Sequence, residues 1–266
     1  MKDNGFYKIT LPIEGNIFSG LSNSIDFIAT GKGRLGNNAV LVDDKSVPIV
    51  RTTTNYNIPA HEFSKYQYML IDNINKELKI SELNKLIPLS FNNALIEKYD
   101  SNYRTMKYHS DQSLDLEKNS FIAIFSCYET PEKLSQTLLR KLKVKNKVTN
   151  EEFEIILDHN SVVLFSVNTN SKFVHKIILD NNTIKSSSSL DNRWLGVTLR
   201  RSKTYVDFKD NIPFLANGNL LQLADENQKK EFFKLKGKEN NDMNFVYPDL
   251  DYTFSTSDLL LPIASR

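Results

Sequence analysis

From residue 100 onward the chain alternates short apolar runs with polar turns. "SFIAIFSCY", "TLLRKLKVK", "EFEIILD", "SVVLFSV", "KFVHKIIL" and "WLGVTLRRSKTYVDF" are separated by stretches such as "NKVTNE", "DHN", "NTNS" and "DNNTIKSSSSLDN". Each run has strand length and the β-branched or aromatic content that fits a pleated, half-buried surface. Six or more such strands with turns at short intervals point to a sandwich, jelly roll or barrel. The serine tract at 186–189 reads as a mobile loop within one of the turns.

The N-terminal third is mixed. A first strand is predicted near "FYKITLPI", after which residues 15–60 are rich in Gly, Asn, Asp and Thr, with short apolar pieces such as "AVLVDD". Residues 61–78 carry Phe63, Met69, Leu70 and Ile74 at helical spacing, and Ser81 is placed to cap a second helix that Pro88 divides. Near the C-terminus, "LLQLADENQKKEFFKLKGKENND" predicts a charged helix around Phe232 and Phe233. The fold class expected from this order is α+β, mainly β.

Charge is close to balanced, with 34 basic and 32 acidic residues, so no strong field advertises a nucleic-acid or membrane partner. Cys127 is the single cysteine, which excludes an intramolecular disulfide and a zinc site of several thiolates. Its apolar neighbours predict a small buried residue. No apolar run reaches the roughly 18 to 20 residues that span a bilayer, and the opening residues lack a secretory pattern. A cytoplasmic, reducing location is the expectation.

Among four histidines, His109 stands two positions before Asp111 in "KYHSDQSLDL". Side chains at i and i+2 share one face of an extended strand, so both can reach one metal ion. His175, on "KFVHKIIL", adds a second nitrogen. Two histidines and a carboxylate on one face of an octahedron leave open positions, the arrangement that suits non-haem Fe(II) oxygenases. Their co-substrate is commonly 2-oxoglutarate, whose far carboxylate needs a fixed cation. "TLRRSK" supplies Arg200 and Arg201 on the next predicted strand, with Ser202 on the same face as Arg200. A planar guanidinium binds a carboxylate bidentately.

"YRTMKYHSDQSLDLEKNSFIAIFSCY", "FEIILDHNSVVLFSV", "KFVHKII" and "RWLGVTLR" together resemble the AlkB-like branch of the Fe(II)/2-oxoglutarate oxygenases over roughly residues 90–208. The resemblance implies a double-stranded β-helix, or jelly roll, with N-terminal helices packed on it. It implies Fe(II) held by His109, Asp111 and His175, 2-oxoglutarate anchored by Arg200, and O2 as oxidant. A tyrosine on the co-substrate is implied near Tyr99, with Tyr103 as its competitor. Residues 1–208 then form the oxygenase domain, comprising a cover (1–60), supporting helices (61–98) and the jelly-roll core (99–208), with 209–266 as a C-terminal extension packed on it.

Two departures bear on the substrate. Gln112 and Ser113 stand where AlkB-like enzymes usually have acidic residues, leaving Asp115 as the nearest carboxylate, and Trp194 occupies the place of a first arginine six positions before Arg200. The expected reaction is hydroxylation of a C–H bond, the retained Asp111 favouring it over halogenation. The substrate is a methylated nucleobase in nucleic acid or, nearly evenly, a small molecule, amino acid or protein side chain. A non-catalytic jelly-roll interaction module is the third expectation. "RKLKVKNK" reads as an exposed strand face or a phosphate track, and "VPIVRTTTNYNIP" as a structural cover or a substrate lid containing Arg51 and Tyr56. His61, at a predicted helix start, and His159, in a solvated turn, match no ligand position.

Overall fold

Strand side chains alternate between faces, and here both faces of the central strands are buried, which explains their almost unbroken apolar runs. The computed structural model describes residues 4–44, 46–86, 88–180 and 192–266; the serine tract lies outside the described residues. In chain order the elements are β1 (Phe6–Thr10), α1 (Phe18–Asn23), β2 (Ile28–Gly31), β3 (Arg34–Val40), β4 (Ser46–Pro48), β5 (His61–Glu62), α2 (Lys65–Ile80) and β6 (Asn93–Tyr99). They continue as β7 (Phe121–Tyr128), β8 (Arg140–Asn146), β9 (Glu152–Leu157), β10 (Ser161–Ser166), α3 (Val167–Lys172), β11 (Phe173–Ile178) and β12 (Trp194–Arg200). The chain closes with β13 (Tyr205–Lys209), β14 (Ile212–Leu215), β15 (Gln222–Leu223), α4 (Glu226–Asn241) and β16 (Tyr252–Thr253).

The large sheet has the order β1-β10-β7-β12-β6-β3-β2, with β5 added to β3. A smaller sheet, β11-β8-β9, faces it. Along β7, Ala123, Phe125 and Cys127 pack with Leu70, Ile74 and Leu78 of α2, whereas Ile122, Ile124 and Tyr128 pack with Leu142 and Val144 of β8. One core therefore lies between sheet and helices, and the other between the two sheets. Each fully buried Leu or Ile contributes roughly 2 kcal/mol. This is a mainly β jelly-roll architecture with helices on the outer face of its large sheet.

Helix α2 forms within the expected stretch but starts at Lys65 and not at His61, because Ser64 accepts from the Tyr66 N–H while Gln67 Oε1 accepts from the Ser64 N–H, a reciprocal cap. The second helix predicted after Ser81 does not form. Ser81 instead closes α2, its hydroxyl donating to the Leu78 carbonyl at 3.0 Å, and residues 93–99 of the region expected to hold supporting helices are strand β6. "NALIEKY" mimics helical spacing because both its faces are covered: Ala94 and Ile96 pack in the core that contains α2, and Tyr99 in the core between the sheets. "WLGVTLRRSKTYVDF" is likewise two strands, β12 and β13. His61 lies on β5, not at a helix start; it is 1% exposed, with Nε2 accepting from the Asp26 N–H. His159 is held by the fold, its Nδ1 accepting from the Tyr128 N–H at 3.1 Å. Cys127 is buried as expected, and burial pushes its thiol upward, away from thiolate chemistry.

At the C-terminal end, Phe232 of α4 packs with Ala224, Tyr252 and Phe254. Asp258 lies beyond this cluster, accepting from the Thr253 hydroxyl. Burial, and secondarily the charge of Asp115, raise its carboxyl to about 6 against the opposing pull of Thr253 and Arg51. Folding thus favours its protonated form. The associated stability is complete below the ordinary carboxylate pKa of about 4 and is lost as pH rises through about 6. Asp258→Asn is expected to melt higher than wild type at pH 7.5 and to lose that advantage at pH 4. A difference independent of pH over this range would contradict the assignment.

Candidate metal centre

An extended segment, residues 105–117, joins the two sheets. Thr105 bridges to Ile178 and His109 to His175 of β11; Leu116 then bridges to Ser202 beyond β12. The His109 N–H donates to the His175 carbonyl at 3.0 Å, and the His175 N–H donates back at 2.7 Å. Antiparallel residues paired in this way send their side chains to the same face. Their rings stand 4.8 Å apart. Asp111 lies two positions beyond His109, and its Oδ1 is 3.4 Å from His175 Nε2. One ligand atom from each of the three residues fits within a 4.8 Å span.

Further contacts hold this geometry. Asn170 of α3 clamps the Asp111 backbone twice, accepting from its N–H at 3.0 Å and donating to its carbonyl at 2.7 Å. Ser110 points away from the ligands and donates to the Phe173 carbonyl. His109 Nδ1 is 3.0 Å from the Lys107 carbonyl, which favours a proton there and leaves Nε2 as the ligating atom. Burial, and secondarily His175, push His109 down to about 3. Burial opposes ionisation of Asp111, but His175 and the Arg200 charge hold its carboxyl well below the usual carboxylate range. A neutral imidazole beside an ionised carboxylate is the state that binds a divalent metal.

Arg200, at the end of β12, is buried, with Nη1 3.8 Å from Asp111 Oδ2. Asp111 Oδ2, His175 Nδ1 and Arg200 Nε are all buried without a hydrogen-bond partner. Buried polar groups are normally satisfied, so three unsatisfied ones on adjoining residues suit an ionic ligand. The donor set of two imidazoles and one carboxylate fits Fe(II), and the free Arg200 donor fits an anionic co-substrate.

The other residues singled out in the sequence are placed differently. Ser202 is not directed at the triad: its hydroxyl lies 2.6 Å from the Ile49 carbonyl and 3.0 Å from that of Thr204. Tyr99 is buried between Tyr103 and Trp194, at 4.5 and 4.8 Å, and donates to Glu97 at 2.7 Å. Glu97 in turn binds Arg34 Nε at 2.6 Å. Arg140 covers the Tyr99 ring and donates to the Tyr103 and Asp100 carbonyls. Trp194 folds over Gly196, where an added Cβ would lie 2.1 Å from the indole, so Gly196 is required there. Arg51 is not a free lid residue. It is 4% exposed and grips the fully buried Asp115, while donating to the Leu250 and Tyr252 carbonyls. Asp115 is thereby unavailable to a substrate.

Helix α4 covers the ligand segment, which the sequence did not foreshadow. Lys236, Glu239 and Asn240 share one face at i, i+3 and i+4. Asn240 accepts from the Ser110 N–H, Glu239 accepts from both the N–H and hydroxyl of Ser113, and Lys236 donates to Thr53 Oγ1. Tyr247 donates to Glu239 at 2.7 Å. Neither these partners nor Asn170 carries a local motif, because each acts across a long stretch of chain.

A family model of the 2OG-Fe(II) oxygenase superfamily matches residues 42–200, spanning the triad and Arg200. No curated protein matches. Among solved structures, OsALKBH1 is similar at 13% identity with a TM-score of 0.46, covering 74% of this chain and 98% of that one. A Pseudomonas putida prolyl-4-hydroxylase is similar at 10% identity with a TM-score of 0.40, covering 74% and 92%. The family model spans more than half of the chain, whose cofactors are accordingly Fe(II), 2-oxoglutarate and O2, and the chain belongs to the 2OG-Fe(II) oxygenase superfamily as a 2-oxoglutarate-dependent Fe(II) dioxygenase.

Proposed function

We propose that the protein hydroxylates a C–H bond of a small molecule or an amino-acid side chain, with His109, Asp111 and His175 holding Fe(II) and Arg200 holding 2-oxoglutarate. The observation that carries this is the meeting of the three ligand atoms within 4.8 Å, with the buried Arg200 guanidinium beside them. Bound together, Fe(II) and 2-oxoglutarate would direct O2 to the oxidation, one oxygen atom going to succinate as CO2 leaves 2-oxoglutarate and the other to the substrate C–H bond. The chain's own residues orient the ligands. The paired backbones of His109 and His175 fix the rings, Asn170 fixes Asp111, and α4 covers the segment that follows. We assign residues 1–208 to the oxygenase domain and 209–266 to an extension that completes its wall, working in a reducing, aqueous compartment.

Oxidative demethylation of a nucleobase is the second reading, and it draws on the order of the motifs. Against it, two of the lysines on the basic strand β8 are paired with carboxylates. Lys141 contacts Glu154 at 3.1 Å and Asp180 at 2.7 Å, and Lys143 contacts Glu152 at 2.9 Å. Such pairs add little stability, but they neutralise a phosphate track. Among the described residues no helix is long and apolar enough to cross a membrane. The intact triad opposes a non-catalytic module. Purified protein given Fe(II), ascorbate and 2-oxoglutarate in air is expected to release succinate slowly without added substrate, and not to shift methylated oligonucleotides in a gel at low salt. No succinate from well-folded protein would sink the proposed function; a steeply salt-dependent shift would transfer it to nucleic acid.

A further inference from the structure

Lys236 is a partly buried cation near the centre that makes no carboxylate contact among the described residues. Its ammonium donates to Thr53 Oγ1 at 2.8 Å, and among the described residues no carboxylate pairs with it within 4.0 Å. Thr53 is itself anchored, its N–H donating to Gln112 Oε1, next to Asp111. The lysine is partly buried, and burial lowers its pKa against the pull of Asp111 and Glu239, with Arg34 adding to the lowering; His109 in turn feels its charge.

The neighbouring charged groups are already engaged. Arg34 is bound to Glu97, Arg200 stands against Asp111, and the Glu239 carboxylate accepts from the N–H and hydroxyl of Ser113 and from the Tyr247 hydroxyl. Fe(II) and the 2-oxoglutarate dianion offset each other. Lys236 is left with a hydroxyl and no carboxylate in direct contact. A cation partly withdrawn from water without a paired anion is costly, and a compact ammonium on a flexible stem suits a small anion.

We infer that Lys236, supplied by the C-terminal helix, binds a carboxylate carried by the substrate, so that the substrate is a small organic acid. The inference rests on the proposed dioxygenase function and narrows its substrate class. The enclosure agrees with it: Gln112 and Ser113, which follow the ligands, are covered by Thr53, Glu239 and Tyr247. This wall suits a small molecule better than a duplex.

The test uses full-length protein loaded with Fe(II) and 2-oxoglutarate without oxygen. The weak visible absorption of the chelate is followed while the free L-amino acids, 3-phenylpropanoate and the carboxamide of each are titrated in. At least one acid should perturb the band, and its amide should not. In Lys236→Met the apparent Kd for that acid should rise at least about tenfold, the scale of one charge-assisted contact. Lys236→Arg should restore most of it, and the affinity for 2-oxoglutarate should stay within about twofold in both variants. A chelate band that no acid perturbs would overturn the inference alone. Equal binding of acid and amide would overturn it too, as would a Lys236→Met loss that falls on 2-oxoglutarate instead. Absence of the chelate band in wild type would remove the dioxygenase proposal and this inference with it.

Discussion

Asp111→Ala is expected to abolish succinate release, lowering it to the background of a reaction without protein. The loss should exceed the 10- to 100-fold typical of changes outside the ligand shell, because the substitution removes the only carboxylate of the three ligands. Arg200, 3.8 Å away, would lose its counter-charge in the same step. The fold should survive, since the clamp from Asn170 holds the Asp111 backbone and not its side chain. Circular dichroism should therefore match wild type while turnover disappears. Asp111→Asn keeps the shape without the charge and should fail equally. Succinate release above one tenth of wild type in either variant would contradict the role given to this carboxylate.

Arg51→Ala should produce the largest loss of stability. Arg51 binds Asp115 through its backbone N–H at 2.6 Å and its guanidinium at 2.7 Å, and reaches the carbonyls of Leu250 and Tyr252. One side chain therefore joins the N-terminal cover, the segment carrying the ligands and the C-terminal extension. Its removal leaves a carboxylate at 0% exposure unpaired, at a cost of about 3–5 kcal/mol. That is a large part of the 5–15 kcal/mol by which a domain is usually stable. Urea denaturation should show it as a lowered midpoint. The double variant Arg51→Met with Asp115→Asn should recover part of the loss, because it removes the abandoned charge while the amide oxygen still accepts from the backbone N–H of residue 51. A single variant within about 1 kcal/mol of wild type would mean that this pair does not tie the three segments together.

The parts of the molecule readable in advance are those whose signal is local. The strands around Ile124, Val163 and Val197 announce themselves by apolar runs bounded by turns. His109 and Asp111 announce a shared face by their spacing, although only the pairing of His109 with His175 across two strands brings the third residue in. Strand β6 was not readable: burial on both faces erases the alternation that would separate it from a helix. Ser202 is a different case. Its place beside Arg200 in the pattern suits a second contact to the co-substrate carboxylate, while its hydroxyl lies against backbone carbonyls that no pattern reports. Arg51, a candidate for a lid, is instead a structural tie to Asp115, and the positions of Lys236, Glu239 and Asn240 over the ligand segment depend on how α4 returns to the jelly roll. Contacts between segments 64 to 183 residues apart leave no local trace.

The most direct measurement is an anaerobic titration of the apoprotein with Fe(II) and 2-oxoglutarate, read by visible absorption, with His175→Ala alongside. A saturable chelate band in wild type that is absent from the folded variant is the expected result, because the centre needs both imidazoles. A band of equal strength in His175→Ala, or none in well-folded wild-type protein, would contradict the assignment of His109, Asp111 and His175 as the iron site.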